Sequence, residues 1–66
     1  MWKMIYIAHT KDAVDKIQLT LISEGVSVKV NPIGNNATKD GYFEILVPEE
    51  QVNEAHEIII DKGYNI

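Results

Sequence analysis

Five polar residues of the kinds that bind small anions occur at two places in this sequence. His9 and Thr10 stand at the start of a predicted helix, and Asn35, Asn36 and Lys39 lie in a segment rich in glycine and asparagine. Backbone N–H groups at a helix start and in such a loop attract anions, and a histidine makes binding sensitive to pH. We expect these residues, named here the ligand corner, to bind a small anionic or amino-acid-like molecule. The alternative is that a helix start and a turn need them for folding alone.

The other residues that could do chemistry are isolated from one another. The chain has no cysteine, which removes thiolate catalysis and thiolate zinc sites. His9 and His56 belong to different predicted elements and make a poor metal pair. Glu54, Glu57 and Asp61 share one face of a predicted helix, which is typical of a solvated surface. No serine has the strand–turn–helix context that exposes a nucleophile. We therefore expect neither an enzyme, nor a metal site, nor a cofactor.

Length and net charge exclude further classes of function. The 66 residues are enough for one domain, spanning 1–66, and a chain of this size buries only about 60% of its unfolded surface. Association with another chain is the default way to bury more. The net charge of −4, with no arginine, argues against nucleic acid. No apolar run is long enough to span a membrane and no leader pattern precedes the first strand, so we expect a cytoplasmic protein.

Apolar periodicity, together with the positions of glycine and proline, predicts the order of the elements. The predicted segments are a strand over 2–8, a helix from Thr10 to a stop at Gly25, a strand from Val26 ended by Pro32, a polar loop to Gly41, a strand from Tyr42 to Val47, a helix from Pro48 to a stop at Gly63, and a stub at 64–66. This order predicts an α+β fold, a ferredoxin-like βαββα(β) sandwich with an antiparallel sheet and two helices on one face.

The second and third strands can be aligned by their alternating valines. The alignment predicts three pairs under the helices and one opposite-charge pair on the other side: Val26–Val47, Val28–Ile45, Val30–Phe43 and Lys29–Glu44. By the same alternation, Ile5 and Ile7 of the first strand are expected to point inward.

The open side of the predicted sheet would then carry five large apolar or aromatic side chains. They are Trp2, Met4, Tyr6, Tyr42 and Leu46. Such a patch is larger than a monomer usually leaves exposed, and aromatic residues and methionine are enriched at interfaces. We expect it to form a homodimer or to contact another protein. Two alternatives stay open: the C-terminal tail covers part of the patch, or the first strand is inverted, with Met4 and Tyr6 in the core.

Four segments resemble a family of small prokaryotic domains of unknown function that are described as signal-transducing proteins with a PII- or ACT-like fold. They are Met1–Tyr6, Leu21–Gly25, Tyr42–Pro48 and Val52–Ile60. In PII-like proteins the loop between the second and third strands carries ligand and partner contacts, and Pro32–Gly41 occupies that position here. ACT-type domains often bind small molecules at sheet-mediated interfaces. The resemblance implies a ferredoxin-like fold and a role in signal transduction.

Together these observations predict a non-enzymatic regulatory or interaction domain. It would self-associate through the open side of the sheet and sense a small ligand at the ligand corner. The first alternative is a structural or adaptor module without a ligand. The second is a small subunit of a larger enzyme, which would need active-site groups from another chain.

Overall fold

The computed structural model describes residues 1–34 and 41–63 of the chain. Its elements are β1 (Trp2–Ala8), α1 (Lys11–Ser23), β2 (Lys29–Ile33), β3 (Tyr42–Pro48) and α2 (Val52–Asp61), with a 3-10 turn at Glu49–Gln51 before α2. Strand β3 is central and antiparallel to both β1 and β2. The predicted α+β fold is confirmed, as an arrangement of two helices and a three-stranded sheet among the described residues. The predicted stub at 64–66 lies outside them.

Helix α1 has the start and the stop that its sequence indicates. The backbone N–H of Ala13 donates a hydrogen bond to Oγ1 of Thr10 at 3.1 Å, so Thr10 is the N-cap. After the helix, Gly25 has a φ of 87°, which is costly for residues with a side chain. The N–H of Val26 then donates to the Leu21 carbonyl at 3.0 Å, as in a Schellman motif. The N-cap and the glycine stop are both confirmed.

Both helices pack on the same face of the sheet around a single apolar core. The buried side chains are Val14, Ile17 and Leu21 of α1, Ala55 and Ile59 of α2, Ile5 and Ala8 of β1, Ile45 and Val47 of β3, and Val26. No polar side chain of the described residues is buried. The core is therefore stabilised by hydrophobic burial. Because both helices cover the same face of the sheet, neither covers the opposite face.

The register between β2 and β3 differs from the predicted one by two residues. The observed pairs are Lys29–Leu46, Val30–Ile45, Asn31–Glu44, Pro32–Phe43 and Ile33–Tyr42. Because side chains alternate with a period of two, this shift leaves each residue on its predicted face. It does change the neighbours: Lys29 lies opposite Leu46 rather than Glu44. The Asn31 side-chain amide donates to the Glu44 carboxylate at 3.1 Å instead.

The shift has its cause in the segment between α1 and β2. Val26 completes the helix stop by bonding to Leu21 and is itself buried in the core. The N–H of Ser27 donates to the side-chain oxygen of Gln51 at 3.1 Å. These groups are therefore engaged outside the sheet, and β2 begins at Lys29 rather than at Val26.

Strand β1 contains a β-bulge. Met4 lies opposite Leu46, but Tyr6 lies opposite the next residue of β3, Ile45. Ile5 is therefore an extra residue between two regular pairs. Since alternation restarts after an extra residue, every side chain beyond the bulge lies on the face opposite to the one that simple alternation predicts.

The bulge corrects two predicted orientations in β1. Tyr6 lies on the helix-covered face and packs against the core, whereas Ile7 lies opposite Glu44 on the open face. The inward orientation predicted for Ile5 is confirmed, and those predicted for Tyr6 and Ile7 are wrong. Met4 points outward as predicted. The alternative that placed both Met4 and Tyr6 in the core is therefore correct for Tyr6 only.

Candidate association surface

The sheet face opposite the helices, which we call the outer face, is formed by side chains from all three strands. The register places ten residues on it: Trp2, Met4 and Ile7 of β1, Lys29, Asn31 and Ile33 of β2, and Tyr42, Glu44, Leu46 and Pro48 of β3. They form four rows across the strands. Seven of the ten are apolar or aromatic.

Three large apolar side chains of the outer face are exposed in neighbouring rows. Trp2 is 43% exposed, Met4 48% and Ile7 43%. Tyr42 and Leu46 beside them are half-buried. Exposed apolar side chains scattered singly are normal, but a contiguous group on one face marks an interaction site in soluble proteins. This group is the best candidate for a functional surface among the described residues.

A lysine lies over one end of the outer face. The Lys29 Nζ atom is 5.8 Å from the centre of the Trp2 ring, across the end of β3. At this distance the ammonium group is attracted by the ring face, an interaction worth about 0.5–1 kcal/mol at an exposed site. The contact involves the only tryptophan of the chain, which the strand register places on the outer face.

The edges of the sheet are less suited to pairing with another chain than its outer face. Among the described strands, β1 and β2 are the edges. The bulge at Ile5 disturbs one, and Pro32, which has no N–H to donate, lies in the other. Such irregularities are common protections against edge-to-edge pairing. Of the two, the outer face is therefore the better candidate for contact with another chain.

Four of the five residues predicted for the interface lie on the outer face: Trp2, Met4, Tyr42 and Leu46. The fifth, Tyr6, lies under the helices because of the bulge. Two residues of the outer face were not predicted. Ile7 was placed inward by simple alternation, and Ile33 follows Pro32, where the sequence pattern ended the strand. Ile33 could have been predicted from the fact that an edge strand tolerates proline, so that β2 can continue past Pro32.

A smaller apolar area lies on the helix layer. Leu19 and Ile22 of α1 are 69% and 51% exposed, and with Asp15 and Gln18 they line a shallow open depression. Two apolar side chains beside a charged residue are within the usual range for a protein surface. This area provides matched control positions for the outer face.

The described part of the ligand corner is explained by folding. The Thr10 hydroxyl caps α1, and the adjacent Lys11 is paired with Asp15 at 2.9 Å. His9 is exposed at the end of β1. Asn35, Asn36 and Lys39 lie outside the described residues. A ligand at this corner therefore stays a prediction.

Removal of the Thr10 hydroxyl gives a direct test of its structural role. We expect Thr10→Ala to lower the free energy of unfolding by about 1 kcal/mol, because one N–H of the first turn of α1 loses its acceptor. Thr10→Ser, which retains the oxygen, is expected to restore most of this loss. Urea denaturation followed by circular dichroism measures both. Equal stability of the alanine variant and the native protein would contradict the capping role.

The described residues give no support to a metal site. They contain no group of three histidine, aspartate or glutamate side chains placed to hold a metal ion. His56 is half-buried on α2, and Glu54, Glu57 and Asp61 are exposed. None of the helices described here has the length and apolar composition needed to cross a membrane.

Comparisons with known proteins add no further assignment. The chain matches no family model, no curated protein and no solved structure. The similarity of its segments to the PII- and ACT-like signalling domains therefore stays a resemblance.

Proposed function

We propose that this protein is a non-enzymatic interaction domain that self-associates through its outer face. The observation that carries the proposal is the accessible group formed by Trp2, Met4 and Ile7 beside the half-buried Tyr42 and Leu46. The other face of the same sheet is covered by both helices, so only the outer face has apolar side chains from all three strands without a cover among the described residues. Its composition is that of an interface core.

The energetics favour a reversible complex. Full burial of a large apolar side chain stabilises by about 1.5–3 kcal/mol, and Trp2, Met4 and Ile7 already hide somewhat more than half of their surface. Each therefore gains about 1 kcal/mol on association. Six such side chains in a dimer, with the half-buried ones, are opposed by a cost of about 4–15 kcal/mol for lost freedom of motion. The balance leaves at most about 5 kcal/mol, so we expect weak association with dissociation constants of about 0.1–1 mM.

Two glutamate substitutions at exposed apolar positions test the proposal. Met4→Glu places a charge on the outer face and is expected to weaken self-association at least about thirtyfold, as at an interface hot spot. Leu19→Glu places the same charge on α1, away from the outer face, and is expected to leave association within about threefold of native. Sedimentation equilibrium measures the dissociation constants. Both positions are exposed, so both variants should keep the native circular dichroism spectrum.

The outcomes separate the possible locations of the interface. Weakening by Leu19→Glu but not by Met4→Glu would move the interface to the helix layer and contradict the proposal. A native protein that stays monomeric up to about 1 mM, a concentration above most biological affinities, would contradict self-association and favour the adaptor alternative.

The ligand-sensing role is separate from this proposal. It was predicted from the ligand corner, whose described residues His9 and Thr10 show no feature beyond an exposed side chain and a helix cap. Where ligand binding and self-association are coupled, each changes the affinity of the other by the same factor. Regulation by a small molecule stays a prediction.

A further inference from the structure

We infer that the occupant of the outer face is a second copy of this chain, related by a two-fold axis that brings Lys29 of each subunit near Glu44 of the partner subunit. The inference rests on the proposed function and specifies its geometry. It is carried by the distribution of charge on the outer face. That face has one positive and one negative side chain among its ten residues, Lys29 and Glu44.

The two charges lie in adjacent rows near the middle of the outer face. From one end of β3 to the other, the rows are Trp2–Pro48, Met4–Leu46–Lys29, Ile7–Glu44–Asn31 and Tyr42–Ile33. Lys29 is thus one row from Glu44, on the neighbouring strand. The separation between two such diagonal positions is about 7–8 Å between Cα atoms.

The two charges do not pair within the chain. The Lys29 Nζ atom lies over the Trp2 ring, in the direction away from the Glu44 row. The Glu44 carboxylate instead accepts a hydrogen bond from the Asn31 amide at 3.1 Å. The ion pairs of the described residues join Lys3 to Glu49 and Lys11 to Asp15. Lys29 and Glu44 can therefore each meet an opposite charge on a partner.

A two-fold axis between the two middle rows matches the outer face to itself. Such an axis, running across the strands, places the Met4–Leu46–Lys29 row on the Ile7–Glu44–Asn31 row of the second copy. Met4 then meets the partner's Ile7, apolar against apolar, and Leu46 covers the partner's Glu44. Lys29 lies over the partner's Asn31, and its long side chain comes within reach of the partner's Glu44 on the neighbouring strand. Each contact occurs twice, as in any isologous interface. A partner with charges of one sign would leave Lys29 or Glu44 against a like charge.

Exchange of the two charges tests this arrangement. Lys29→Glu alone brings two glutamates together at each contact, and Glu44→Lys alone brings two lysines together. Each is expected to weaken self-association at least about tenfold, since like charges across an interface are costly. An equimolar mixture of the two variants restores opposite charges at both contacts. It is expected to form a heterodimer within about threefold of the native affinity.

A matched pair from the helix layer controls for changes in net charge. Lys16→Glu and Glu57→Lys alter exposed residues outside the outer face, and their mixture is expected to associate no more tightly than either variant alone. Failure of the Lys29→Glu and Glu44→Lys mixture to recover affinity would overturn the two-fold arrangement. The proposed function would then still be decided by Met4→Glu, so the two failures are distinguishable.

A second measurement uses the native chain and so does not depend on the folding of a variant. Chains labelled with ¹⁴N and ¹⁵N are mixed and treated with a carbodiimide, which joins an amine to a carboxylate in close contact. Peptide mass spectrometry is expected to show Lys29 joined to Glu44 in products that contain both isotopes. A product with one isotope only, or no Lys29–Glu44 product while dimers are present, would overturn the inference.

Discussion

Replacing Ile59 by alanine is expected to lower the free energy of unfolding by about 3 kcal/mol, because it leaves a cavity in a core that is apolar throughout. Ile59 is 0% exposed on the inner side of α2. A domain of this size has a total stability of about 3–10 kcal/mol, so the loss is a large part of it. Urea denaturation of the monomer, at concentrations below the dissociation constant, measures the effect without a contribution from association.

The neighbouring residue supplies a matched control. Ile60 follows Ile59 on the same helix and is 65% exposed. Ile60→Ala removes the same atoms and is expected to change the stability by less than about 0.5 kcal/mol. Equal effects of the two substitutions would mean that α2 packs with a different face on the sheet, and the assignment of the helix layer would be wrong.

Glutamate at two adjacent positions of β1 is expected to have opposite consequences because of the bulge. Tyr6→Glu should destabilise the fold by about 2 kcal/mol, since the charge would lie against the core under the helices. Ile7→Glu should lower the stability by less than about 1 kcal/mol, a loss that arises because the new charge lies opposite Glu44. It should weaken self-association at least about thirtyfold, because this side chain lies on the outer face. Urea denaturation and sedimentation equilibrium on each variant separate the two effects.

The reverse result would follow from a regular strand. If Tyr6→Glu dissociated the dimer and Ile7→Glu lowered the stability, β1 would alternate without an extra residue, and the register between Met4 and Tyr6 would be wrong. Ile5→Ala does not distinguish the two cases, because Ile5 points inward in both.

The local signals in the sequence were sufficient to predict the order of the elements, although β2 begins at Lys29 rather than Val26 and α2 at Val52 rather than Pro48. A helix start at Thr10 and stops at Gly25 and Gly63 can be read directly because each depends on one residue and its nearest neighbours. Both glycines have a positive φ, 87° and 84°. The inner stripe of α1 follows a period near 3.6, so its burial was also predictable. These features depend on short-range geometry alone.

The register and the bulge could not be predicted because they depend on contacts between distant segments. Alternating valines fit two registers that differ by two residues and place the same side chains inward. The choice between them depends on Val26, which is used by the helix stop, and on the bond from Ser27 to Gln51. The extra residue Ile5 in β1 leaves no pattern in the sequence, because both faces of this strand are apolar.

The sequence predicted the face of most residues of the candidate surface, but not of those that follow the bulge. Trp2, Met4, Tyr42 and Leu46 were placed correctly because they precede the bulge or belong to the regular central strand. Tyr6 and Ile7 exchange faces because they follow the bulge. The positions of Lys29 and Glu44 on one face were predictable, but their relation to each other needed the observed register.

The emission of Trp2 tests the central claim most directly, since it is the only tryptophan of the chain and lies on the outer face at 43% exposure. Spectra are recorded from about 10 µM to 2 mM, a range that spans the expected dissociation constants, together with the mass from sedimentation. We predict that the emission maximum moves to shorter wavelength as the mass doubles, because the indole leaves water. A doubling of mass with an unchanged spectrum would place the interface elsewhere and contradict the account.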